Sequence, residues 1–375
     1  MLYDESFINQ LPPIMPFENP WLVGICRFEK NKELLQLLEK WFSNLPREHR
    51  TRFRNRLRSL KDSEFVSAFY ELVAHQYCLE EGWQVEYEPK QQSGKSPDFL
   101  VTTKTGYKFI LEVATIFDSA DIKNTNDKKE EVTLAITNID TPFKLHLEYK
   151  ILPDKNIVPK EVAKMIQQWL DSLDKSDIKK KNKMEFGYKG MSLMVEATID
   201  SLKPKIGCVV SYMDPGGAVP DYSDRIKSVL DDKSKKYSSK KTKLPLVVMV
   251  GDGVGRIRLS EITIDRTLFG RDIITFGNEN NPTQWHKDRS GHFTPSNNKS
   301  LGWLGRRTGL SAVLYCSLQE KTSFQMQVFH NPLPHIPLDE QIFYKMPQLI
   351  KWKNDKSIVM KWVISNPENL RVYFY

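Results

Sequence analysis

Two carboxylates set in apolar surroundings are the residues best placed to do chemistry in this chain. Asp98 stands in Ser96-Pro97-Asp98-Phe99-Leu100-Val101, and Glu112 follows fourteen residues later in Tyr107-Lys108-Phe109-Ile110-Leu111-Glu112-Val113-Ala114. The two runs are rich in Val, Ile and Phe and are joined by Thr103-Lys104-Thr105-Gly106. That pattern predicts a β-hairpin, with Gly106 supplying the positive-φ turn position. Thr105 is midway between the two acids, so paired strands set them opposite each other to within one residue of register. Two neighbouring acids in strands fit for burial repel unless a positive charge lies between them. A divalent metal ion, which takes oxygen ligands, meets that need.

The elements that must position these groups begin upstream. Ser63 to Leu79 is expected to be a helix with Asp62 or Ser63 as N-cap. Glu71 is the sole formal charge between Phe65 and Leu79, on a helix apolar around most of its circumference. A carboxylate buried there needs a partner or a metal. His75 follows one turn later on the same face. After Glu81-Gly82, Trp83 to Pro89 reads as the next strand.

A Glu-bearing helix, a strand, a Pro-Asp strand and a Glu strand, in that order, resemble the PD-(D/E)XK nuclease superfamily. The resemblance covers mainly residues 61–118. It implies the restriction-endonuclease-like fold: an α/β αβββαβ core with a mixed central sheet, carrying here an N-terminal helical extension and a large α+β insertion. It implies a metal site of Asp98 and Glu112 with the Val113 carbonyl, extended by Glu71, holding Mg²⁺ or Mn²⁺. The implied activity is phosphodiester hydrolysis of nucleic acid, DNA foremost, leaving 5′-phosphate and 3′-hydroxyl ends. Restriction, repair or defence would be the setting, with a homodimer or a partner protein as possible company.

The resemblance breaks at one position. The superfamily's lysine stands two residues after the strand acid, where this chain has Ala114. Such a lysine orients the attacking water and offsets phosphate charge. Lys108 shares the strand face of Glu112 by period-two counting, but it lies near the turn. The better replacements are on the helix expected from Ser223 to Tyr237, ahead of the apolar strand Leu244 to Val250: Lys233 first, Lys236 second. Two alternatives keep the fold and drop the enzyme. One is an inactive nucleic-acid-binding module. The other is a regulatory subunit docking on an acidic protein.

Charge distribution agrees with a polyanionic partner. The formal net charge is +8, which permits such a partner without requiring it. Arg47 to Arg58 holds six arginines in twelve residues, and Lys233 to Lys243 holds six lysines in eleven. Arg52, Arg54, Arg56, Lys240, Lys241 and Lys243 are therefore the candidate phosphate contacts. Cys26, Cys78, Cys208 and Cys316 include no close pair, which argues against a zinc site or a disulfide framework. No apolar run approaches the ~20 residues that span a membrane, and the N-terminus lacks a signal peptide's pattern, so a cytoplasmic protein is expected.

The chain divides by pattern into an extension at 1–60, a first core part at 61–120, an insertion at 121–220, a second core part at 221–330 and a C-terminal extension at 331–375. Asn31 to Asn44 and Arg47 to Leu60 read as helices. Asp121 to Glu131 reads as an exposed loop or helix start, and Asn278 to Ser300 as a polar loop. The Gly-rich stretches Met213 to Ala218 and Gly251 to Gly255 lack a phosphate-loop lysine and read as turns. Trp303 with Arg306 and Arg307 is a possible base-stacking loop, though core packing accounts for Trp303 more simply.

Overall fold

A computed structural model describes residues 1–12, 20–89, 96–117, 120–174, 181–199, 210–213, 222–237, 243–253, 259–270, 272–275, 284–287, 291–293, 309–320, 322–352, 359–363 and 372–373. Its contacts divide the chain into two compact units, the first holding Pro20–Phe117 and Asp221–Tyr375, the second Asp118–Pro220. The described parts of 331–375 and of 1–60, expected as extensions, belong to the first unit. The reason is burial: Trp41, Phe53 and Leu57 share one apolar cluster with the Glu71 helix, as do Phe343 and Met346.

Helices α1 (Glu5–Gln10), α2 (Trp21–Arg27), α3 (Lys32–Ser43) and α4 (Arg47–Leu57) precede α5 (Asp62–Glu80). Asp62 does not cap α5, whose N-cap is Lys61. Its carboxylate instead accepts the Trp21 N–H at 2.8 Å and ties α2 to α5. α5 buries Phe65, Phe69, Tyr70, Leu72 and Val73 fully, at about 1.5–3 kcal/mol for each large apolar side chain. Gly82, at φ +69°, turns the chain into β1 (Gln84–Tyr87). The hairpin follows as β2 (Phe99–Thr102) and β3 (Lys108–Ile116). Gly106 sits at φ +82° in its turn, and its N–H donates to the Thr103 carbonyl at 2.9 Å.

The second unit holds α6 (Ala120–Thr137), β4 (Phe143–Ile151), α7 (Pro159–Asp171), β5 (Asn182–Tyr188), β6 (Met191–Ile199) and β7 (Val210–Met213). Its sheet runs β5-β6-β4-β7. Alternate residues Phe143, Leu145, Leu147 and Tyr149 are buried with Val162, Ile166 and Leu170 of α7. The polar stretch from Asp121 to Glu131, expected as a loop or helix start, is helical throughout. Val132 and Ile136 anchor the following turns of α6 in the core, and the helix continues N-terminally from that anchor.

The first unit resumes with α8 (Ser223–Lys236), β8 (Leu246–Asp252), α9 (Glu261–Phe269), β9 (Asp272–Thr275), β10 (Gln284–Lys287), β11 (Ala312–Glu320), β12 (Ser323–His330), β13 (Gln348–Trp352), β14 (Val359–Val363) and β15 (Val372–Tyr373). β10 corrects the loop expected at 278–300, since it pairs antiparallel with β9. The large sheet is mixed, in the order β1-β2-β3-β8-β11-β12-β13-β14, with β15 against β12. β1, β2 and β3 form an antiparallel meander, and β8 joins β3 in parallel. The protein is thus a mixed α/β structure around a mixed central sheet.

The two faces of β3 are distinct. Phe109, Leu111 and Val113 pack with α5. Ile110, Ala114 and Ile116 pack with Ile226 and Leu230 of α8 and Ile264 and Leu268 of α9. By strand alternation Glu112 faces α8. β8 is buried on both faces, hence its unbroken apolar run.

Close packing beside β8 carries a prediction. A Cβ on Gly251 would lie 2.5–2.6 Å from ring atoms of Tyr70. That ring is fully buried, and its hydroxyl donates to Asp252 Oδ1 at 2.5 Å. Gly251→Ala is expected to destabilise the protein by about 2–3 kcal/mol, by overpacking. Urea unfolding of the variant measures it, and an unchanged midpoint would refute the contact.

No described helix is long and apolar enough to cross a membrane. Cys26, Cys78 and Cys316 are free thiols. Cys208, Lys240, Lys241, Trp303, Arg306 and Arg307 lie outside the described residues, as do 214–218 and 254–255 of the Gly-rich stretches. Gly251 and Asp252, expected in a turn, instead end β8.

Candidate active site

The hairpin register decides how the two acids meet. Phe99 pairs with Leu111, and the pairing ends there. One further step sets Asp98 directly across from Glu112, and residues directly opposite in antiparallel strands point to the same face. Beyond the end of β2, the Val113 N–H has no strand partner on that side. It donates to Asp98 Oδ2 at 2.8 Å instead. A strand residue's N–H and C=O point to the same edge, so the Val113 carbonyl faces the Asp98 side as well.

Helix α8 supplies the counter-charge. Lys233 Nζ lies 3.3 Å from Asp98 Oδ2 and also donates to Glu112 Oε2. Lys236 Nζ donates to Glu112 Oε1 at 2.8 Å, and the Tyr237 hydroxyl donates to the same oxygen. Lys233, Lys236 and Tyr237 stand at i, i+3 and i+4, so one helix face delivers all three. Glu112 is completely buried. A buried carboxylate with three donors is well compensated. Lys108 is exposed at the turn end of β3. Ala114 is buried under α8 in the apolar cluster, on the same strand face as Glu112.

The electrostatics of the pair are unequal. Burial raises Asp98, Glu112 and Glu71 raise it further, and Lys233 only partly offsets them, leaving its carboxyl at about 6. Burial also pushes Glu112 up, but Lys233, Lys236 and Tyr237 outweigh it and hold Glu112 below its ordinary value. Both acids share Lys233, while Glu112 alone has Lys236 and Tyr237. A proton on the pair therefore resides on Asp98. Burial pulls Lys233 down, but the two carboxylates prevail and raise it, so it stays an ammonium. Burial and then Glu112 raise the Tyr237 phenol, which stays a donor.

Glu71 does not join this pair. Both its carboxylate oxygens accept from Arg56, at 2.7 and 2.6 Å. Among the described residues no group of three or more His, Cys, Asp or Glu side chains is placed to hold a metal ion. His75, one turn beyond Glu71, is buried with its ring 5.2 Å from that of Tyr87. Burial, then His49, hold it down at about 4.

Much of the basic run on α4 is likewise engaged within the protein. Arg56 holds Glu71, and Arg52 pairs with Glu88. Arg54 lies over the Phe42 ring at 5.4 Å, and Arg58 donates to Asp4 and to the Leu2 carbonyl. These arginines are spaced to stitch α4 and its C-cap to α5, to Glu88 just after β1 and to the N-terminal segment. Lys243 is exposed.

The residues present fit a hard divalent cation in part. Two opposed carboxylates and a backbone carbonyl edge are oxygen donors of the right kind. The Lys233 ammonium occupies the space between the acids where a cation is needed. Sequence reasoning missed Tyr237 and the Arg56–Glu71 pair. Tyr237 was legible in principle from its spacing to Lys233 and Lys236, whereas the Arg56–Glu71 contact depends on how α4 crosses α5.

No known protein family, no curated protein and no solved structure matches this chain.

Proposed function

We propose that this chain is a metal-dependent nuclease of PD-(D/E)XK type, hydrolysing phosphodiester bonds of nucleic acid, DNA foremost. The observation that carries the reading is one lysine ammonium, brought from α8, touching two carboxylates that face each other across the β2–β3 hairpin. Helix, three-strand meander, helix and parallel fourth strand (α5, β1–β3, α8, β8) support the restriction-endonuclease-like fold. Asp98 and Glu112, with the Val113 carbonyl, would hold Mg²⁺ or Mn²⁺. The bound ion would supply Lewis-acid polarisation of the phosphate and a more acidic water.

The chain's own residues then divide the work. Asp98 is oriented by the Val113 N–H, and Glu112 by Lys236 and Tyr237. Lys233 replaces the motif lysine lost at Ala114. As an ammonium it donates to the attacking water or a phosphate oxygen and offsets charge on the pentacovalent phosphorane. It does not abstract the proton. Basic surface including Lys243 would attract the polyanion.

The test is cleavage of single- and double-stranded DNA and RNA with Mg²⁺ or Mn²⁺ and with chelator. The expected result is cation-dependent cleavage leaving 5′-phosphates, lost in Asp98→Ala and Glu112→Gln. Cleavage that survives both substitutions would overturn the assignment.

A second reading has a specific observation behind it. Arg56 grips Glu71 with two hydrogen bonds, and Ala114 fills the lysine position. A nuclease fold turned nucleic-acid-binding module would show both. Binding to DNA that weakens steeply with salt, without cleavage under any divalent ion, would favour it.

A further inference from the structure

We infer that Tyr237 is a positioning residue that leaves Glu112 one oxygen to offer a cation, Oε2, and thereby selects a small octahedral divalent cation over calcium. The inference rests on the metal reading above. Its ground is an asymmetry in one carboxylate. Glu112 Oε1 accepts two hydrogen bonds, from Lys236 at 2.8 Å and from the Tyr237 hydroxyl. Glu112 Oε2 faces the other way, toward Lys233 and Asp98. The Tyr237 bond occupies one lone pair of Oε1 and fixes the carboxylate's orientation, so that Oε2 is the oxygen turned toward Asp98.

The two donors on Oε1 differ in how firmly they stay. Lys236 is a quarter exposed at the end of a flexible stem and can leave for a phosphate. Tyr237 cannot. It closes α8 as the C-cap, with its N–H donating to the Ser234 carbonyl at 3.2 Å. Its side chain is buried within the apolar cluster that also holds Ile226 and Leu230 of α8. When Lys236 departs, the phenol still ties Oε1 back.

Cation chemistry turns that restraint into selectivity. Mg²⁺ demands near-ideal octahedral geometry at short oxygen distances, and Mn²⁺ suits the same oxygen set. Both accept a carboxylate through one oxygen. Ca²⁺ takes six to eight oxygens at longer range and commonly uses both oxygens of a carboxylate. A Glu112 with one oxygen tied back therefore disfavours Ca²⁺, and freeing that oxygen relieves the penalty.

The experiment is calorimetric titration of the full chain with Mn²⁺ and separately with Ca²⁺. Wild type, Tyr237→Phe, Lys236→Met and Asp98→Asn are compared. Wild type is expected to bind Mn²⁺ more tightly than Ca²⁺, and Asp98→Asn to bind neither well. Tyr237→Phe, which keeps the ring, is expected to lower the Mn²⁺-over-Ca²⁺ preference about tenfold, a change of about 1.4 kcal/mol between the two ions. Lys236→Met leaves the buried ring in place and is expected to keep the preference within about twofold of wild type. A Tyr237→Phe preference equal to wild type would overturn the inference. So would a tenfold fall in Lys236→Met, which needs no change at the phenol. Absence of any Asp98-dependent ion binding in wild type would instead overturn the metal reading beneath it.

Discussion

Asp98→Asn is expected to abolish nucleic-acid cleavage while making the metal-free protein more stable at neutral pH. The loss follows from the proposed role: removing one of two charged metal ligands forfeits several kcal/mol of transition-state stabilisation, a rate loss of at least ~10³-fold. The gain follows from the carboxyl's position at about 6. Burial, then repulsion from Glu112 and Glu71, disfavour its charge in the folded state more than Lys233 and the Val113 N–H favour it. A group raised on folding contributes stability that is fully present below its unfolded value, near 3.9, and lost as pH rises through about 6. At pH 7.5 the charged Asp98 therefore costs about 1–3 kcal/mol, which a neutral Asn does not. Urea unfolding of wild type and variant at pH 4, 6 and 7.5, with chelator present, checks the sign. The advantage of the variant should be small at pH 4 and largest at pH 7.5. A variant less stable than wild type at pH 7.5 would mean that the Lys233 pairing outweighs the desolvation.

Lys233→Met should separate cation binding from chemistry. The ammonium lies between Asp98 and Glu112 and must move before a divalent ion can enter. A pair of charges near 4 Å interacts with about 4 kcal/mol at an effective dielectric of 20, so removing the competitor leaves ample margin for a gain. Mn²⁺ affinity is expected to rise about tenfold or more. Cleavage is expected to fall by about 10²–10⁴, the range for losing a group that assists proton transfer or positions water. Without its cation the apo protein should also lose stability, because two opposed carboxylates remain with Lys236 on one of them alone. Calorimetry and a cleavage assay on the same preparation give both numbers. Unchanged affinity would show that the ammonium does not occupy the cation's place. Full activity would transfer the water-positioning part to Lys236.

These expectations turn on geometry that the sequence carried to different degrees. The hairpin was legible because its information is local. Gly106 permits the turn, strand alternation sets the faces, and the spacing of Asp98 and Glu112 about Thr105 sets the register. The structure realises that register with Phe99 on Leu111. Helices α3 and α4, expected from Asn31 to Asn44 and from Arg47 to Leu60, were legible for the same reason, and the structure forms them at Lys32–Ser43 and Arg47–Leu57. Local pattern misled where a distant partner takes a group away. Asp62 reads as a helix cap but bonds Trp21 across forty-one residues. The arginines of α4 read as free surface charge, yet Arg56 is turned inward onto Glu71.

What this chain's sequence determined alone is the presence of two acids opposed on a hairpin and the helix that carries Lys233 and Lys236, since both depend on residues a few positions apart. Only the tertiary structure decided that Lys233 reaches both acids, that Lys236 and Tyr237 converge on one oxygen of Glu112, and that Glu71 is held by Arg56. Those contacts join residues separated by up to 135 positions. They are set by how α8 packs over β3 and how α4 crosses α5, and side-chain packing between distant elements leaves no periodic trace along the chain.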